Sequence, residues 1–299
     1  MRPWTAVPPQ HGRRFVITGS NSGVGFQAAR ILGSRGAQVV LACRNLEKGE
    51  AAARQVPGFG TGRVVVRRLD VADLASVREF VDAFLSEHDG LDVLVNNAGV
   101  LGSPYRLTRE GVETHFATNH LGHFALTNLL LPRIRDRVVV TGSREHRRGS
   151  DINLDDLAWE DRPYKAFAAY AQSKLANLLF MSELQRRLSA AGSDVRSVAA
   201  HPGSSSTNIT AGTGQPIVTW IGYHGQKLVS MPAWRGALCT VYAATMDIPG
   251  DTYIGPHGRF ELHGWPSAAR RSAAARDAEL AHRLWEISEK LSGVTFPPL

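Results

Sequence analysis

The sequence predicts an α/β fold in which a doubly wound parallel sheet is covered by helices on both faces, giving three layers. Two observations indicate this architecture. Short runs of almost continuous apolar residues alternate along the chain with longer amphipathic stretches. Strands of that kind are typical of a parallel sheet buried on both faces, and the intervening amphipathic stretches are typical of crossover helices.

The elements follow in order from the first apolar run, Arg14-Phe15-Val16-Ile17-Thr18, which predicts a buried strand. Further strands are predicted at 38–42, 63–69, 91–95, 137–141 and 194–200. The amphipathic stretches predict helices at 23–33, 46–55, 74–87, 109–131 and 164–190, followed by two more at 233–244 and 277–292. The sequence shows no internal repeat.

We expect a single domain over residues 13–299, preceded by an N-terminal extension of residues 1–12. The segment 204–232 interrupts the alternation, because Ser, Gly and Thr dominate its first part. We interpret it as a lid over the substrate. Its large apolar side chains either contact an apolar substrate or pack the lid onto its own domain; they are Trp220, Ile221, Tyr223, Leu228 and Met231.

The composition argues against several classes of protein. Cys43 and Cys239 lie far apart, which favours a reducing, cytoplasmic environment over a secreted disulfide scaffold. No apolar run approaches the ~20 residues that span a bilayer, and the first residues lack the apolar centre of a signal peptide, so we expect no membrane insertion. The net charge of +7 comes from arginines spread along the chain, which predicts a solvated basic surface and no nucleic-acid partner.

The first strand runs into a glycine-rich turn, Thr18-Gly19-Ser20-Asn21-Ser22-Gly23-Val24-Gly25, and then into a helix. Glycines allow a tight turn and a close approach of the backbone to a pyrophosphate, while the start of the helix supplies N–H groups and a positive dipole end. A plain strand-to-helix turn is the alternative. Its position after the first strand of an alternating chain favours a dinucleotide site of the Rossmann type.

The end of the second predicted strand indicates which dinucleotide is bound. An NAD-specific fold often carries an acid about 20 residues beyond the glycines. Here that place holds Ala42-Cys43-Arg44-Asn45, without a carboxylate. Arg44 can pair with a 2′-phosphate through a charge-assisted fork, so we predict NADP(H) as the cofactor.

Tyr170 and Lys174 stand four residues apart on a predicted helix and therefore share one of its faces. A tyrosine can act as general acid toward a carbonyl oxygen if a neighbouring ammonium lowers its pKa from the usual value of about 10. An exposed Tyr–Lys pair would be the alternative. Eleven histidines occur, none in a familiar ligand spacing, so we predict no metal site.

Four motifs in this order resemble the short-chain dehydrogenase/reductase superfamily: the glycine turn, Asn96-Asn97-Ala98-Gly99, Asn119-His120-Leu121-Gly122, and Tyr170 with Lys174. The resemblance covers about residues 13–210. It is closest to the branch of retinol dehydrogenases and protochlorophyllide reductases, on the residues Cys43-Arg44-Asn45, Asn119 to Phe124 and Tyr170 to Asn177.

This resemblance implies a role for each matching catalytic residue. Tyr170 would donate or accept the proton, and Lys174 would lower its pKa and bind the nicotinamide ribose. Ser143 would hold the substrate oxygen, and Asn119 would support a water relay to Lys174. The family's usual pair of serines stands here as Thr141-Gly142-Ser143, so Thr141 is the alternative for the hydroxyl role.

The resemblance also implies a set of cofactor-binding residues at the ends of the predicted strands. Besides Tyr170 and Lys174 they are Gly19, Ser20, Asn21, Ser22, Gly23, Val24, Gly25, Arg44, Asn45, Asp70, Val71, Asn97, Ala98, Gly99, Pro202, Gly203 and Thr207.

The expected activity is hydride transfer between NADP(H) and a carbonyl or alcohol of a small, apolar molecule. Two alternatives remain open: reduction of a C=C bond, and binding of NADPH without turnover. The sequence is also compatible with a homo-oligomer.

Overall fold

The apolar runs lie side by side in one sheet of the computed structural model, which describes residues 7–148, 152–204 and 231–299. The strands of the described residues are β1 (Arg14–Thr18), β2 (Gln38–Cys43), β3 (Val64–Arg68), β4 (Leu91–Asn96), β5 (Ile134–Thr141), β6 (Arg196–Ala200), β7 (Tyr253–Pro256) and β8 (Pro266–Ala268). Their order is β3-β2-β1-β4-β5-β6-β7-β8, and all neighbours pair in parallel except the antiparallel β8. The strand order reverses between β1 and β4, where a fold of this kind opens a crevice.

Helices cover both faces of this sheet. They are α1 (Gly23–Ser34), α2 (Leu46–Ala53), α3 (Leu74–Glu87), α4 (Thr114–Phe116), α5 (Gly122–Leu130), α6 (Ala166–Ala190), α7 (Ala233–Thr245) and α8 (Ala278–Ser292). One apolar core joins the sheet to α3, α5, α6 and α8. A second core joins the other face to α1, α2 and α7. The predicted three-layer α/β class is therefore confirmed.

The predicted elements differ from the observed ones mainly at their ends. The helix predicted at 109–131 begins only at Thr114, so that prediction was wrong for its first turn. Residues before Thr114 form an isolated bridge between Leu107 and Glu113 instead, and the Glu113 side chain caps the start of the helix. The sequence predicts no strand beyond residue 200, because β7 and β8 are only 4 and 3 residues long.

A π-helical turn, Ala117–Leu121, separates α4 from α5. This turn and the start of α5 lie against the segment after β3. A Cβ on Gly122 would stand only 1.8 Å from the main-chain oxygen of Val71, so a glycine is needed for this approach. The contact brings Asn119 to the edge of the sheet where the strands end.

Most of the predicted lid, 204–232, lies outside the described residues. Of the five large apolar residues predicted in this lid, only Met231 lies within the described residues. Met231 is buried, and its N–H donates to the main-chain oxygen of Ser204 at 2.7 Å. At the other end of the chain, Val7 packs into the second core. The division into residues 1–12 and 13–299 stays a prediction.

Candidate active site

A cavity of about 260 Å³ opens at the carboxyl ends of β1, β2 and β4, where the strand order reverses. Its wall contains most of the residues predicted to bind a cofactor: Gly19, Asn21, Ser22, Gly23, Val24, Arg44, Asp70, Val71, Asn97, Ala98, Gly99 and Pro202. This is the position in which open α/β sheets bind their ligands.

The glycine turn lies against the segment that follows β4. Gly19 has a φ of +64°, and a Cβ there would stand 2.8 Å from the Cα of Ala98. A Cβ on Gly25 would stand 2.3 Å from Nδ2 of Asn97. The Ser22 side chain makes no capping hydrogen bond to α1, which leaves that role in the first turn to a ligand. This cradle therefore fits a pyrophosphate.

Thr18 links the glycine turn to the segment after β4 through hydrogen bonds. Its Oγ1 accepts hydrogen bonds from the main-chain N–H groups of Asn97 and Ala98, both at 2.9 Å. The same oxygen lies 2.8 Å from Nε2 of His123, whose Nδ1 lies 3.1 Å from the main-chain oxygen of Asn119. Burial lowers the pKa of His123 to about 4, so the ring stays neutral. The bond between Nδ1 and a carbonyl places the proton on Nδ1, and Thr18 is then the donor to Nε2.

Two groups at the far end of the cavity carry opposite charges. The Arg44 side chain is 76% exposed and lies 3.9 Å from the carboxylate of Asp70. Asn45 does not line the cavity, because its side chain caps α2 by accepting from the N–H of Lys48 at 2.8 Å. Arg44 is therefore the basic group that this end offers to a phosphate.

Five other predicted cofactor residues of the described ranges stand apart from the cavity wall: Ser20, Gly25, Tyr170, Lys174 and Gly203. Ser20 is buried and donates to the main-chain oxygen of Ile17 at 2.8 Å. Gly25 lies beneath the turn against Asn97. Gly203, with a φ of +65°, donates to Nδ1 of His201 at 3.2 Å. Thr207 lies outside the described residues.

Lys174 is buried next to the carboxyl end of β5. Its Nζ donates to the main-chain oxygen of Thr141 at 3.1 Å and lies 5.7 Å from the centre of the Tyr170 ring. The same Thr141 oxygen accepts from Nδ2 of Asn177 at 3.0 Å. Burial lowers the pKa of Lys174 to about 8.

Tyr170 is a buried residue of α6, with Ser143 and Glu145 near its hydroxyl. Burial raises the pKa of Tyr170 to about 12, although the nearby Ser143 side chain lowers it and the charge of Glu145 raises it further. Lys174 is not among the causes of this shift, so its predicted effect on the pKa of Tyr170 stays a prediction.

The two candidate hydroxyl groups have different surroundings. Ser143 lies near Tyr170 and accepts from the N–H of Glu145 at 3.2 Å, at the start of the 3₁₀ turn Arg144–Arg147. Thr141 lines the cavity, and its Oγ1 is buried without a hydrogen-bond partner among the described residues. Ser143 thus lies near Tyr170 and Thr141 lies in the cavity wall, and the choice of Ser143 as the hydroxyl that holds the substrate oxygen stays a prediction.

The Asn119 side chain is fully engaged with its neighbours. Its Oδ1 accepts from the N–H of Val100 at 2.8 Å. Its Nδ2 donates to the Val100 oxygen at 3.1 Å and to Oγ of Ser173 at 2.8 Å. The side chain thus ties the segment after Gly99 to α6, and its part in a water relay stays a prediction.

Other residues around the site were not predicted from the sequence. The cavity wall also contains Ala42, Cys43, Leu69, Val100 and Thr118, which sit beside the predicted residues at the ends of elements. Glu261 was missed as well. It accepts from Arg147 at 2.8 Å and lies 3.3 Å from Nε2 of His201, and no local motif marks it.

No group of three or more metal-ligating side chains occurs within 7–148, 152–204 and 231–299. In the same part of the chain, no helix combines the length and the apolar character needed to cross a membrane.

The chain belongs to the short-chain dehydrogenase family, whose model matches residues 13–217. Within this family it falls in the retinol-dehydrogenase-like branch. It is 37% identical to retinol dehydrogenase 13 of Homo sapiens, over 96% of this chain and 86% of that protein. It is 40% identical to retinol dehydrogenase 12 of Mus musculus, over 95% and 87%.

Solved structures share the fold of this chain. An uncharacterized protein from Mycobacterium paratuberculosis is 49% identical and has a TM-score of 0.83, with 98% of both chains covered. A short chain dehydrogenase from Burkholderia cenocepacia in complex with NADP shares the fold, with a TM-score of 0.61 and 23% identity over 78% of this chain and 91% of that one.

Proposed function

We propose that this chain is an NADPH-dependent oxidoreductase that interconverts the carbonyl and alcohol forms of an apolar small molecule, with Tyr170 as acid and base. One observation carries the proposal: Tyr170 lies beside Lys174 on α6, and Lys174 donates to the main-chain oxygen of Thr141, which lines the cavity built on the glycine turn. The nicotinamide would supply or take up the hydride.

The protonation states suit a proton donor. The raised pKa of Tyr170 keeps the phenol protonated at neutral pH, the form that carbonyl reduction requires. Ser143 holds the substrate oxygen, and Tyr170 delivers its proton to that oxygen. Lys174, with a pKa of about 8, is mostly charged at pH 7 and attracts the phenolate that forms. In the oxidative direction Tyr170 must take up a proton, so oxidation should gain speed as the pH rises.

Arg44 supports the choice of NADPH. Its guanidinium is largely exposed at the end of the cavity, and its nearest acid, Asp70, stands at 3.9 Å. A 2′-phosphate can bind such a guanidinium bidentately, and no carboxylate follows β2 to repel it. The related enzyme from Burkholderia cenocepacia was solved with NADP, which supports the same choice.

An apolar substrate is supported by the relatives and by the surface beside Tyr170. The relatives are named retinol dehydrogenases. Phe167 lies one turn before Tyr170 on α6 and is 67% exposed.

The test is turnover of NADPH with a panel of retinal, aliphatic aldehydes, aromatic ketones and enones, with product analysis. Tyr170→Phe should lower kcat about 100-fold to 10,000-fold and leave NADPH binding nearly unchanged. Tyr242→Phe, on α7 away from the cavity, is the matched control. Full activity of Tyr170→Phe would overturn the proposal. Saturation of the enone C=C bond, or binding without any turnover, would point to the other activities considered above.

A further inference from the structure

We infer that Glu113 and His115 form a buried hydrogen-bonded pair that positions the Tyr170 ring. Glu113 orients the His115 imidazole, and the imidazole in turn fixes the plane of the phenol. Both side chains have 0% exposure. Neither belongs to the motifs described above. The inference rests on the proposed function, in which Tyr170 carries the proton.

Glu113 is an ionised carboxylate inside the protein. Its Oε2 accepts from the N–H groups of His115 at 2.8 Å and Phe116 at 3.2 Å, at the start of α4. Its Oε1 accepts from His115 Nδ1 at 2.7 Å and from the Tyr164 hydroxyl at 2.9 Å. Burial raises the pKa of Glu113, but these hydrogen bonds hold it below the usual value. Four donors therefore fix the carboxylate in one orientation.

The hydrogen bonds of His115 determine where its proton lies. Ser103 donates its N–H to Nε2 at 3.3 Å, so Nε2 must accept. Nδ1, which faces the Glu113 carboxylate, must then carry the proton. Because both ring nitrogens are bonded, the imidazole cannot rotate without losing a buried hydrogen bond.

This oriented ring packs against Tyr170. The two ring centroids are 6.3 Å apart, and the planes meet at 73°, which is an edge-to-face arrangement. Pairs of this kind have a preferred geometry, so the orientation of one ring constrains the other. A tilt of the phenol ring displaces the Tyr170 hydroxyl. Proton transfer requires that this hydroxyl stay within hydrogen-bond distance of the substrate oxygen, so the tilt of the ring affects the reaction.

Glu113 also joins the chain segments around Tyr170. Tyr164 stands just before α6. Its hydroxyl bonds Glu113 and also lies 3.0 Å from the main-chain oxygen of Ser103. The N–H of Glu113 donates to the oxygen of Leu157 at 3.1 Å. The segment after β4, the start of α4 and the approach to α6 therefore meet at this carboxylate, which supports the helix that bears Tyr170.

The test separates the ring of His115 from its hydrogen bond. His115→Asn keeps an N–H donor near the position of Nδ1 but has no ring. His115→Phe keeps a ring against Tyr170 but has no donor for the buried Glu113. We expect His115→Asn to be the more stable variant and His115→Phe the more active one. In His115→Asn, kcat should fall about tenfold or more with the dissociation constant of NADPH nearly unchanged.

A purely structural role for His115 would make activity follow stability in the two variants, and that ordering would overturn the inference. If His115→Phe does not fold, wild-type kcat in His115→Asn would overturn it equally. A crystal structure of His115→Asn gives a readout that needs no substrate: the Tyr170 ring should be turned or should occupy several positions, and an unchanged ring would contradict the inference. Tyr170→Phe with full activity would instead overturn the proposed function itself.

Discussion

The ammonium group of Lys174 lies 3.1 Å from the main-chain oxygen of Thr141, at a depth where only 2% of Lys174 is exposed. The position links the end of β5 to α6 directly beside Tyr170. It also carries a cost, because an ammonium loses hydration when it is buried, and this lowers the pKa of Lys174 to about 8.

This cost predicts that Lys174→Met stabilises the protein at pH 7. The folded-state pKa of about 8 lies below the ordinary value of 10.5, so below pH 8 both states are protonated and the full penalty remains. Between the two values the unfolded state binds more protons, and the wild type gains stability as the pH rises. The variant should be more stable by about 1–3 kcal/mol at pH 7 and less so near pH 10. Thr141 keeps Asn177 as a donor.

Urea unfolding at the two pH values measures this difference. A variant that is less stable than wild type by the same amount at both pH values would contradict the prediction.

Arg44→Ala should weaken NADPH binding selectively. If the guanidinium binds the 2′-phosphate as proposed, its loss should raise the dissociation constant of NADPH about tenfold or more and leave that of NADH nearly unchanged. Fluorescence titration with both cofactors measures this. Arg68→Ala is the control, because Arg68 is also exposed at a strand end, pairs with Glu79 at 3.9 Å and does not line the cavity. Equal effects on both cofactors would remove Arg44 from the phosphate site.

Gly19→Ala should abolish cofactor binding. Gly19 has a left-handed backbone, and a Cβ would also collide with Ala98 at 2.8 Å. Gly192 has a similar φ of +68°, yet nothing lies within 4 Å of the place of its Cβ. Gly192→Ala should therefore show only the backbone strain, about 1–2 kcal/mol in thermal or urea unfolding, with binding intact. Comparable NADPH binding by the two variants would be evidence against the cradle.

Glu261 should stabilise the fold at neutral pH but not in acid. Burial raises its pKa, but the nearby His201 ring and the hydrogen bonds from the N–H of Arg270 and from Arg147 lower it to about 2. Since the folded pKa is depressed, the contribution is complete above about pH 4.5 and disappears as the pH falls toward 2. Glu261→Gln should cost about 2–3 kcal/mol at pH 6, and the difference from wild type should shrink at pH 3.

Urea unfolding at pH 6 and pH 3 tests this, with Glu279→Gln, an exposed residue of α8, as the control. A pH-independent difference between Glu261→Gln and wild type would contradict the assigned role of the ion pair.

Much of the fold could be predicted because the sequence patterns that indicate its helices, strands and turns involve residues close together in the chain. The observed limits of β1 and α3 coincide with the predicted ones. A continuous apolar run marks β1 and a strong helical periodicity marks α3, and both patterns can be recognised from neighbouring residues alone. Asp73 caps α3 with its side chain, which marks the boundary locally. The glycine turn was also predictable, because positive φ and a close approach demand glycine whatever the distant partners are.

The sequence by itself determined the α/β class and the family, and it predicted the residues around a dinucleotide. Only the tertiary structure decided that β7 and β8 extend the sheet, that Glu261 joins Arg147 to His201, and that His115 stands against Tyr170. It also decided the pKa directions of Tyr170 and Lys174. The physical reason is that burial and long-range contacts depend on residues far apart in the chain, whereas turns, caps and periodicity depend on neighbours.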